Sequence, residues 1–427
     1  MNITVSEAQA NAIRAIRDWF LHRTHEQQVF RTFGYAGTGK TTITSMAIEA
    51  LGLQPMTPGG LGGVLFAAFT GKAVHVMTQK GTPAQTIHSL IYRSSEATPE
   101  EIARTTEELA ALERDLPRMG VGERGFAQAQ IAQLKQRLDH IHELRFVLNP
   151  QSALRDADLL VLDEVSMVGE DIAHDLLAFG TPILVLGDPG QLAPVRGTGF
   201  FTHAVPDVML TEIHRQAADS PILQLATMAR HGQEIPFGAF DDQVWKMSRH
   251  AVCPAQMLQG EQVICGTHAT RRHLNSAMKT AAGFTADYPS GAGEKIICLR
   301  NRHDLGLING MFLTLSDVQG HPHNDRAFRA NVQTDDGLFV PGVQEFWRGE
   351  FDDHVRFDPD RQRREAIACR RLIQSSWGYA ITCHKAQGSQ WSNVVVFDDG
   401  FGRTPDDRKR WLYTAITRAE HGLLLLA

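Results

Sequence analysis

The stretch GYAGTGKT at residues 34–41 limits what this chain can fold into more than any other. It follows the apolar run VFRTF and opens a helix-forming stretch, TTITSMAIEAL. Glycines at Gly34, Gly37 and Gly39 let the backbone bend so that successive N–H groups face phosphate oxygens, and the helix start adds partial positive charge. In that setting Lys40 reaches the β- and γ-phosphates of a nucleotide, Thr41 ligates Mg2+, and Thr38 and Thr42 complete the cradle. A chance glycine turn is the rival, but it needs neither a strand before it nor a helix after it.

The rest of the chain keeps the same rhythm. Short apolar runs at 29–33, 64–69, 159–162, 183–186, 263–265 and 394–397 end in Gly, Thr or Asp and read as buried parallel strands. Helix-length amphipathic stretches lie at 8–21, 41–51, 222–230 and 270–282, and the closing GLLLLA reads as a last buried strand. Strand, helix, strand implies α/β layers. With 427 residues there is room for roughly three domains.

Charge and cysteine usage exclude other classes. Forty-two Lys and Arg against 48 Asp and Glu give a formal −6, which argues against a protein that coats DNA by bulk positive charge but leaves a local groove open. Five cysteines, Cys253, Cys265, Cys298, Cys369 and Cys383, lie far apart with no CxxC pair, which fits reduced thiols better than disulfides or zinc. The start, MNITVSEAQANAI, lacks the basic-then-apolar pattern of a leader, and no apolar run approaches a membrane span. A cytoplasmic protein with no membrane contact is expected.

Two segments break the rhythm. In 100–144, apolar residues fall at Ile102, Leu109, Leu112 and Leu116, then at Ile131, Leu134, Leu138 and Ile141, with Pro117, Gly120, Gly122 and Gly125 between. This is a coiled-coil seam written twice, predicting an antiparallel helical hairpin that projects from the α/β body; two surface helices packed on the core are the alternative. In 293–372, KIICLRN and MFLTLSDV read as strands around LGLING, followed by DDG and PG turns, which suits a small inserted β-barrel.

Two further strand ends carry chemistry. LLVLDEVSM puts Asp163 and Glu164 at the end of a buried strand, where Asp163 would hold Mg2+ and Glu164 would orient and deprotonate the attacking water. ILVLGDPGQLAPV ends another strand in a turn whose Gln191 amide could sense a γ-phosphate. Alone, either is an ordinary strand end; beside the glycine loop they form a set.

In order, GYAGTGKT, AAFTGKAVHVM, TIHSL, LDEVSM, GDPGQLAPV, LTEIHRQ, YAITCHKAQGSQW and WLYTAITRA resemble the motifs of superfamily 1 helicases, specifically the 5′ to 3′ branch, superfamily 1B, with the RecD-type and phage Dda helicases. The Pif-type DNA helicases are close relatives. The resemblance implies two RecA-like parallel-sheet motor domains, at 1–91 with 150–217 and at 218–288 with 373–427. It implies a pin inserted at 92–149, here grown into the helical hairpin, and an SH3-like β-barrel at 289–372. Ala193 stands where many relatives have proline.

The resemblance further implies that Gln9 recognises adenine, that Gln191 couples the γ-phosphate to motion, and that Arg215 and Arg418 are arginine fingers, with Gly388 near the γ-phosphate. Thr70, Lys72, Thr86, His88, Thr382, His384 and Lys385 match motifs that contact single-stranded DNA. Phe66, Phe69, Tyr92, Trp377 and Trp391 are aromatics available for stacking. The implied activity is ATP-dependent 5′ to 3′ movement on single-stranded DNA and at single-strand/duplex junctions, by a monomer using ATP and Mg2+. The helical hairpin would contact duplex DNA or a replication or recombination protein. An RNA-directed helicase and a nucleotide-regulated single-strand-binding module remain the alternatives.

Overall fold

The computed structural model describes all residues except 1–4, 25, 96–98, 140–144, 195–198, 213–219 and 353–370. By internal contacts the chain divides into a larger unit, Met1–Leu90 with Ala153–Ala427, and a smaller one, Ile91–Ser152.

In the larger unit the first strands are β1 (Val29–Gly34), β2 (Val64–Ala68) and β3 (Ala84–Thr86). The smaller unit then contributes β4 (Tyr92–Ser95) and β5 (Arg145–Leu148), paired antiparallel. Beyond it come β6 (Leu159–Asp163), β7 (Ile183–Gly187) and β8 (Val208–Leu210). Six of these form a wholly parallel sheet in the order β3-β2-β6-β7-β1-β8. β7 is buried along its whole length and β6 as far as Asp163, which is why both read in the sequence as unbroken apolar runs. Ile16, Ile43 and Ala47 from flanking helices pack in one cluster with Phe30 of β1.

A second six-stranded sheet begins with β9 (Gly238–Ala239), β10 (Val244–Met247) and β11 (Gln262–Cys265). The chain leaves it for β12 (Lys295–Cys298), β13 (Phe312–Gly320), β14 (Ala327–Thr334), β15 (Phe339–Trp347) and β16 (Ser375–Trp377), and returns as β17 (Ala380–Thr382), β18 (Trp391–Phe397) and β19 (Ala419–Leu426). The order is β17-β11-β18-β19-β10-β9, parallel except for the short β9.

The excursion is an antiparallel sheet ordered β15-β14-β13-β12-β16. Its two edges meet: the Trp347 N–H donates to the Ile373 carbonyl at 3.0 Å, and the Ile373 N–H to Glu345 at 2.8 Å. Phe328 stacks on Phe346 at 4.9 Å, and Phe351 lies edge-on to Trp377 at 5.0 Å. Trp377, 2% exposed, is therefore core, and the expectation that it is available for base stacking is corrected.

In the smaller unit, helices Pro99–Asp115 and Val121–Asp139 are joined through a single tight turn at Leu116–Arg118. Leu109, Leu112, Leu116, Leu134 and Leu138 are half-buried and Ile131 is buried, while most of their described neighbours are exposed. Lys135 pairs with Glu113 at 2.7 Å across the two helices. The seam is one side chain wide, as the spacing requires. Among the described residues no helix is long and apolar enough to cross a membrane.

Candidate nucleotide site and nucleic-acid track

The carboxyl ends of β1, β6 and β7 lie together, as neighbouring strands of one parallel sheet must, and this is where α/β sheets bind ligands. β1 runs into the glycine loop. A side chain at Gly34 would sit 2.5 Å from Thr38 Oγ1 and 2.9 Å from Leu210 Cβ, so nothing larger than glycine fits. Gly37 and Gly39 take φ of 78° and 81°, the left-handed region that glycine adopts without steric cost. Gly39 is the N-cap of the Lys40–Ala50 helix, which puts Thr41 and Thr42 in its exposed first turn. The buried Thr38 hydroxyl closes the loop by donating to the Tyr35 carbonyl at 2.8 Å.

Lys40 bends back over this loop. Its Nζ donates to the Gly34 carbonyl at 2.6 Å and the Tyr35 carbonyl at 3.1 Å. Gln9 supports the loop from beneath: Oε1 accepts from the Ser6 N–H at 3.0 Å as part of a capping box, and Nε2 donates to the Thr38 carbonyl at 3.2 Å. Both ends of that amide are engaged with the protein.

Asp163 ends β6. The next residue, Glu164, has φ 53° and ψ 43°, one of two described non-glycine residues with positive φ. Such a backbone costs about 1 to 3 kcal/mol, and it turns the Glu164 N–H onto Asp163 Oδ1 at 2.8 Å. Burial and then the Glu164 carboxylate push the Asp163 carboxyl up to about 6, opposed by that N–H and by the Lys40 and Lys80 ammoniums. A carboxyl in this condition is short of positive charge. A bound cation would supply it, so the cradle of N–H groups, Lys40, Thr41 and Asp163 fits a Mg2+ nucleotide.

β7 leads to Asp188, buried, whose carboxyl is raised by burial against the pull of Lys40, the Tyr413 hydroxyl and the Gly190 N–H. Gln191 is buried, its Oε1 3.5 Å from the Ser166 hydroxyl. The second sheet reaches this turn directly. Tyr413 donates to Asp188 Oδ2 at 2.6 Å and accepts from the Ala36 N–H at 2.8 Å. The Leu192 N–H donates to Thr414 Oγ1 at 2.9 Å, and Gln387 Nε2 to the Leu192 carbonyl at 3.0 Å. Arg230 lays its guanidinium 3.5 Å over the Tyr35 ring. A small cleft lined by Tyr35, Ala36, Thr211, Thr227, Arg230 and Tyr413 opens beside it.

Arg418, 4% exposed, donates to the carbonyls of Thr414 (3.1 Å) and Ser389 (3.2 Å) and to Thr417 Oγ1 (3.2 Å). Arg215 lies outside the described residues. Gly388, with φ 77°, packs against Thr70 and Ala73, where an added Cβ would stand 2.7 Å from Thr70 Oγ1. Its nearest neighbours are thus Thr70 and Ala73 at the start of the Gly71–Gln79 helix, not the glycine loop. Sequence reading passed over Tyr413, Asp188 and Arg230; the first two stand inside motifs it quoted, and a Tyr at a helix position reads simply as core.

The residues matched to a nucleic-acid track gather at the other strand ends of the same sheets. Thr70, after β2, caps the Gly71–Gln79 helix by accepting from the Ala73 N–H at 3.2 Å. Thr86 ends β3 and accepts from the Ser89 N–H at 3.1 Å. His88 lies 5.7 Å from Phe69, and burial lowers its pKa. Thr382 ends β17 and His384 follows, 5.7 Å from Phe401, its pKa lowered by burial. Three side chains meet the small antiparallel sheet: Lys72 pairs with Asp335, His75 Nε2 lies 3.7 Å from Asp336, and Lys385 donates to Asn309 Oδ1. Ile308 faces Gly71, where an added Cβ would stand 3.3 Å from its side chain.

Residues 4–245 match the AAA domain family, and residues 378–426 match the UvrD-like helicase C-terminal domain. The chain is 25% identical over 415 residues to the ATP-dependent RecD2 DNA helicase of Deinococcus radiodurans, covering 90% of this chain and 45% of that protein. It is 28% identical over 241 residues to the ATP-dependent DNA helicase dda of Enterobacteria phage T4, covering 54% and 43%. The chain thus spans about half the length of the curated relatives it matches. In fold it is similar to the Pif1 helicase from Bacteroides in complex with ADP-AlF3 and ssDNA, with a TM-score of 0.52, 16% identity, and coverage of 100% of this chain and 93% of that one. A structure of two coordinating Pif1 helicases at forked dsDNA gives 0.51, 18%, 100% and 92%. The two parallel sheets, the glycine loop between β1 and its helix, and the match over more than half its length establish that the chain belongs to the AAA domain family and resembles the superfamily 1B helicases.

Proposed function

We propose that this chain is an ATP-dependent DNA helicase or translocase that moves 5′ to 3′ on single-stranded DNA and opens duplex at its junction. The observation that carries this reading is the contact of the 188–192 turn and the glycine loop with Tyr413, Thr414 and Gln387, on or capping helical elements that connect strands of the second sheet. Groups suited to phosphoryl transfer sit on the first sheet, and the second grips them through bonds a nucleotide could make or break. The domain division that follows is 1–91 with 150–217 and 218–288 with 373–427 as motors. It leaves 92–149 as a pin carrying a helical-hairpin arm and 289–372 as an SH3-like β domain.

In this reading the loop N–H groups and Lys40 hold the phosphates, with Lys40 trading the Gly34 and Tyr35 carbonyls for phosphate oxygens. Thr41 and Asp163 would hold Mg2+, which when bound neutralises charge on the β- and γ-phosphates. Glu164 takes the proton of the attacking water, Gln191 senses the γ-phosphate, and Gln9 reads adenine beside the loop it supports. Arg418 reaches the nucleotide by exchanging the Thr414 and Ser389 carbonyls for phosphate, with Arg215 as second finger. Alternate opening and closing of the two motors shifts Thr70, Lys72, Thr86 and His88 relative to Thr382, His384 and Lys385 along the strand. The partners are single-stranded DNA and its junctions with duplex, with a replication or recombination protein on the arm, and the motor works as a monomer.

The test is strand displacement on duplexes carrying a 5′ or a 3′ single-stranded tail, with ATP and Mg2+, for wild type, Lys40→Ala and Glu164→Gln. The reading expects opening of the 5′-tailed duplex alone and its loss in both variants. Displacement from the 3′ tail would overturn the polarity. ATP hydrolysis stimulated by DNA with no displacement from either would replace the motor with a nucleotide-regulated binding module.

A further inference from the structure

Tyr413 sets one buried hydroxyl among three motifs that are far apart in sequence. It accepts from the Ala36 N–H at 2.8 Å and donates to Asp188 Oδ2 at 2.6 Å, so its donor and one acceptor site are both in use. The ring is 2% exposed, and at Gly190 any Cβ would stand 3.0 Å from it. Thr414, the next residue, holds the Leu192 N–H at 2.9 Å. Two successive residues of one second-sheet helix, Pro405–Ile416, therefore grip a turn that grows from a first-sheet strand.

The direction of the Tyr413 bond is fixed. Burial and the adjacent Asp188 carboxylate push the Tyr413 pKa up, so the phenol stays a donor, and a hydroxyl bound to a buried carboxylate makes one of the stronger hydrogen bonds available. Lys40 acts on the same carboxylate from the other side. Drawing Lys40 off the Gly34 and Tyr35 carbonyls toward a phosphate alters the charge that Asp188 feels, and with it the bond to Tyr413. The Ala36 N–H, in the loop itself, moves with the same event.

We propose that Tyr413 is the positioning residue that couples the occupancy of the glycine loop to the second sheet, a role that rests on the motor reading above. It touches no reacting atom; it sets where the Pro405–Ile416 helix sits relative to the 188–192 turn.

Tyr413→Phe keeps the ring and removes the hydroxyl. Losing a hydrogen bond to a buried carboxylate is expected to lower base pairs opened per ATP by about tenfold, with kcat for ATP changed more than KM. Asp188→Asn removes the charge that Lys40 acts on and leaves one oxygen where Tyr413 and the Gly190 N–H each need an acceptor, so it is expected to lose about as much as Tyr413→Phe. Equal proportional loss of hydrolysis and opening, or no loss, overturns the proposal. Thermal unfolding of each variant separates coupling from misfolding. Hydrogen exchange upon adding a non-hydrolysable ATP analogue with Mg2+ needs no motor activity. In wild type, amides of 188–192 and of 405–416 should change together, and in Tyr413→Phe only the first set should. If both sets still respond in the variant, or if 405–416 is silent in wild type, the coupling role is wrong whatever becomes of the motor.

Discussion

The candidate nucleotide site and the first-sheet part of the candidate track lie at strand ends of one parallel sheet, yet they are held in opposite ways. At the ends of β1, β6 and β7 the polar groups are buried and joined by short bonds, many to backbone: Gln9 to Thr38, Glu164 N–H to Asp163, Tyr413 to Ala36 and Asp188. At the ends of β2 and β3 and along the Gly71–Gln79 helix, basic side chains meet acidic ones of the small sheet in partly exposed pairs, Lys72 with Asp335 and His75 with Asp336. Low local dielectric strengthens the first kind of contact and fixes its geometry, while water and salt weaken the second. One region is built to hold a single arrangement and the other to exchange partners.

The largest expected effect follows from the rigid region. Lys40→Ala removes the ammonium bound to the glycine-loop carbonyls, and preorganised groups of this kind are worth on the order of 100- to 1000-fold in turnover. ATP turnover, measured at low and high salt, should fall by that amount at both. A loss that high salt restores would mean that Lys40 acts as an exchangeable surface charge and would break the contrast.

Asp163 sharpens it through pH. Its folded carboxyl titrates near 6, above the unfolded value of about 3.9, so the folded protein holds this proton more tightly. Between those values the unfolded chain loses the proton first, and stability falls as pH rises through the window, levelling off above about 6. Asp163→Asn should flatten that slope in chemical unfolding. If Asp163 holds Mg2+, the metal must displace the same proton, so Mg2+-nucleotide affinity should weaken below pH 6 by up to about tenfold per unit, read with a fluorescent nucleotide. An affinity flat from pH 5 to 7 would show that Asp163 is not the metal ligand.

How much of this could be read in the sequence depended on burial. β6 and β7 are covered on both faces, so LLVLD and ILVLG stand out as continuous apolar runs, and the loop after β1 is legible because only glycine fits at Gly34. The two helices of the smaller unit were legible for a different reason, the spacing of three and four between half-buried leucines on otherwise exposed helices. β3, three half-buried residues reading AQT, carries no signal; β14 and β15 are interrupted by register shifts, and β15 carries apolar Phe339 and Val343 on its exposed face, which breaks the in-out alternation. Tyr413 hid because a buried aromatic on a helix is core and, here, also a hydrogen-bond hub. The pairing of Lys72 with Asp335 spans 263 positions and depends on how the small sheet is placed, which local pattern does not encode.

On the exchangeable side the effects are smaller and salt-dependent. If Lys72 grips phosphate, Lys72→Ala should weaken single-strand binding evenly across sequences. It should also lower the slope of log affinity against log salt by about 0.7, the value for one phosphate contact on a single strand.

Asp335→Asn should act in the opposite direction and least of all. In the free protein Asp335 occupies the Lys72 ammonium, so a phosphate must compete with a carboxylate that is already in place. The amide keeps the size and a carbonyl oxygen but removes the charge, and a partly exposed pair is worth roughly 0 to 1 kcal/mol. Single-strand affinity should therefore rise by about two- to fivefold at low salt and converge with wild type near 0.5 M, as screening removes the competing attraction. Titrating a fluorescent single strand at three salt concentrations measures both features at once. A fall in affinity would mean that Asp335 holds Lys72 in its gripping position instead of competing for it, and the track would then share the fixed geometry of the nucleotide site.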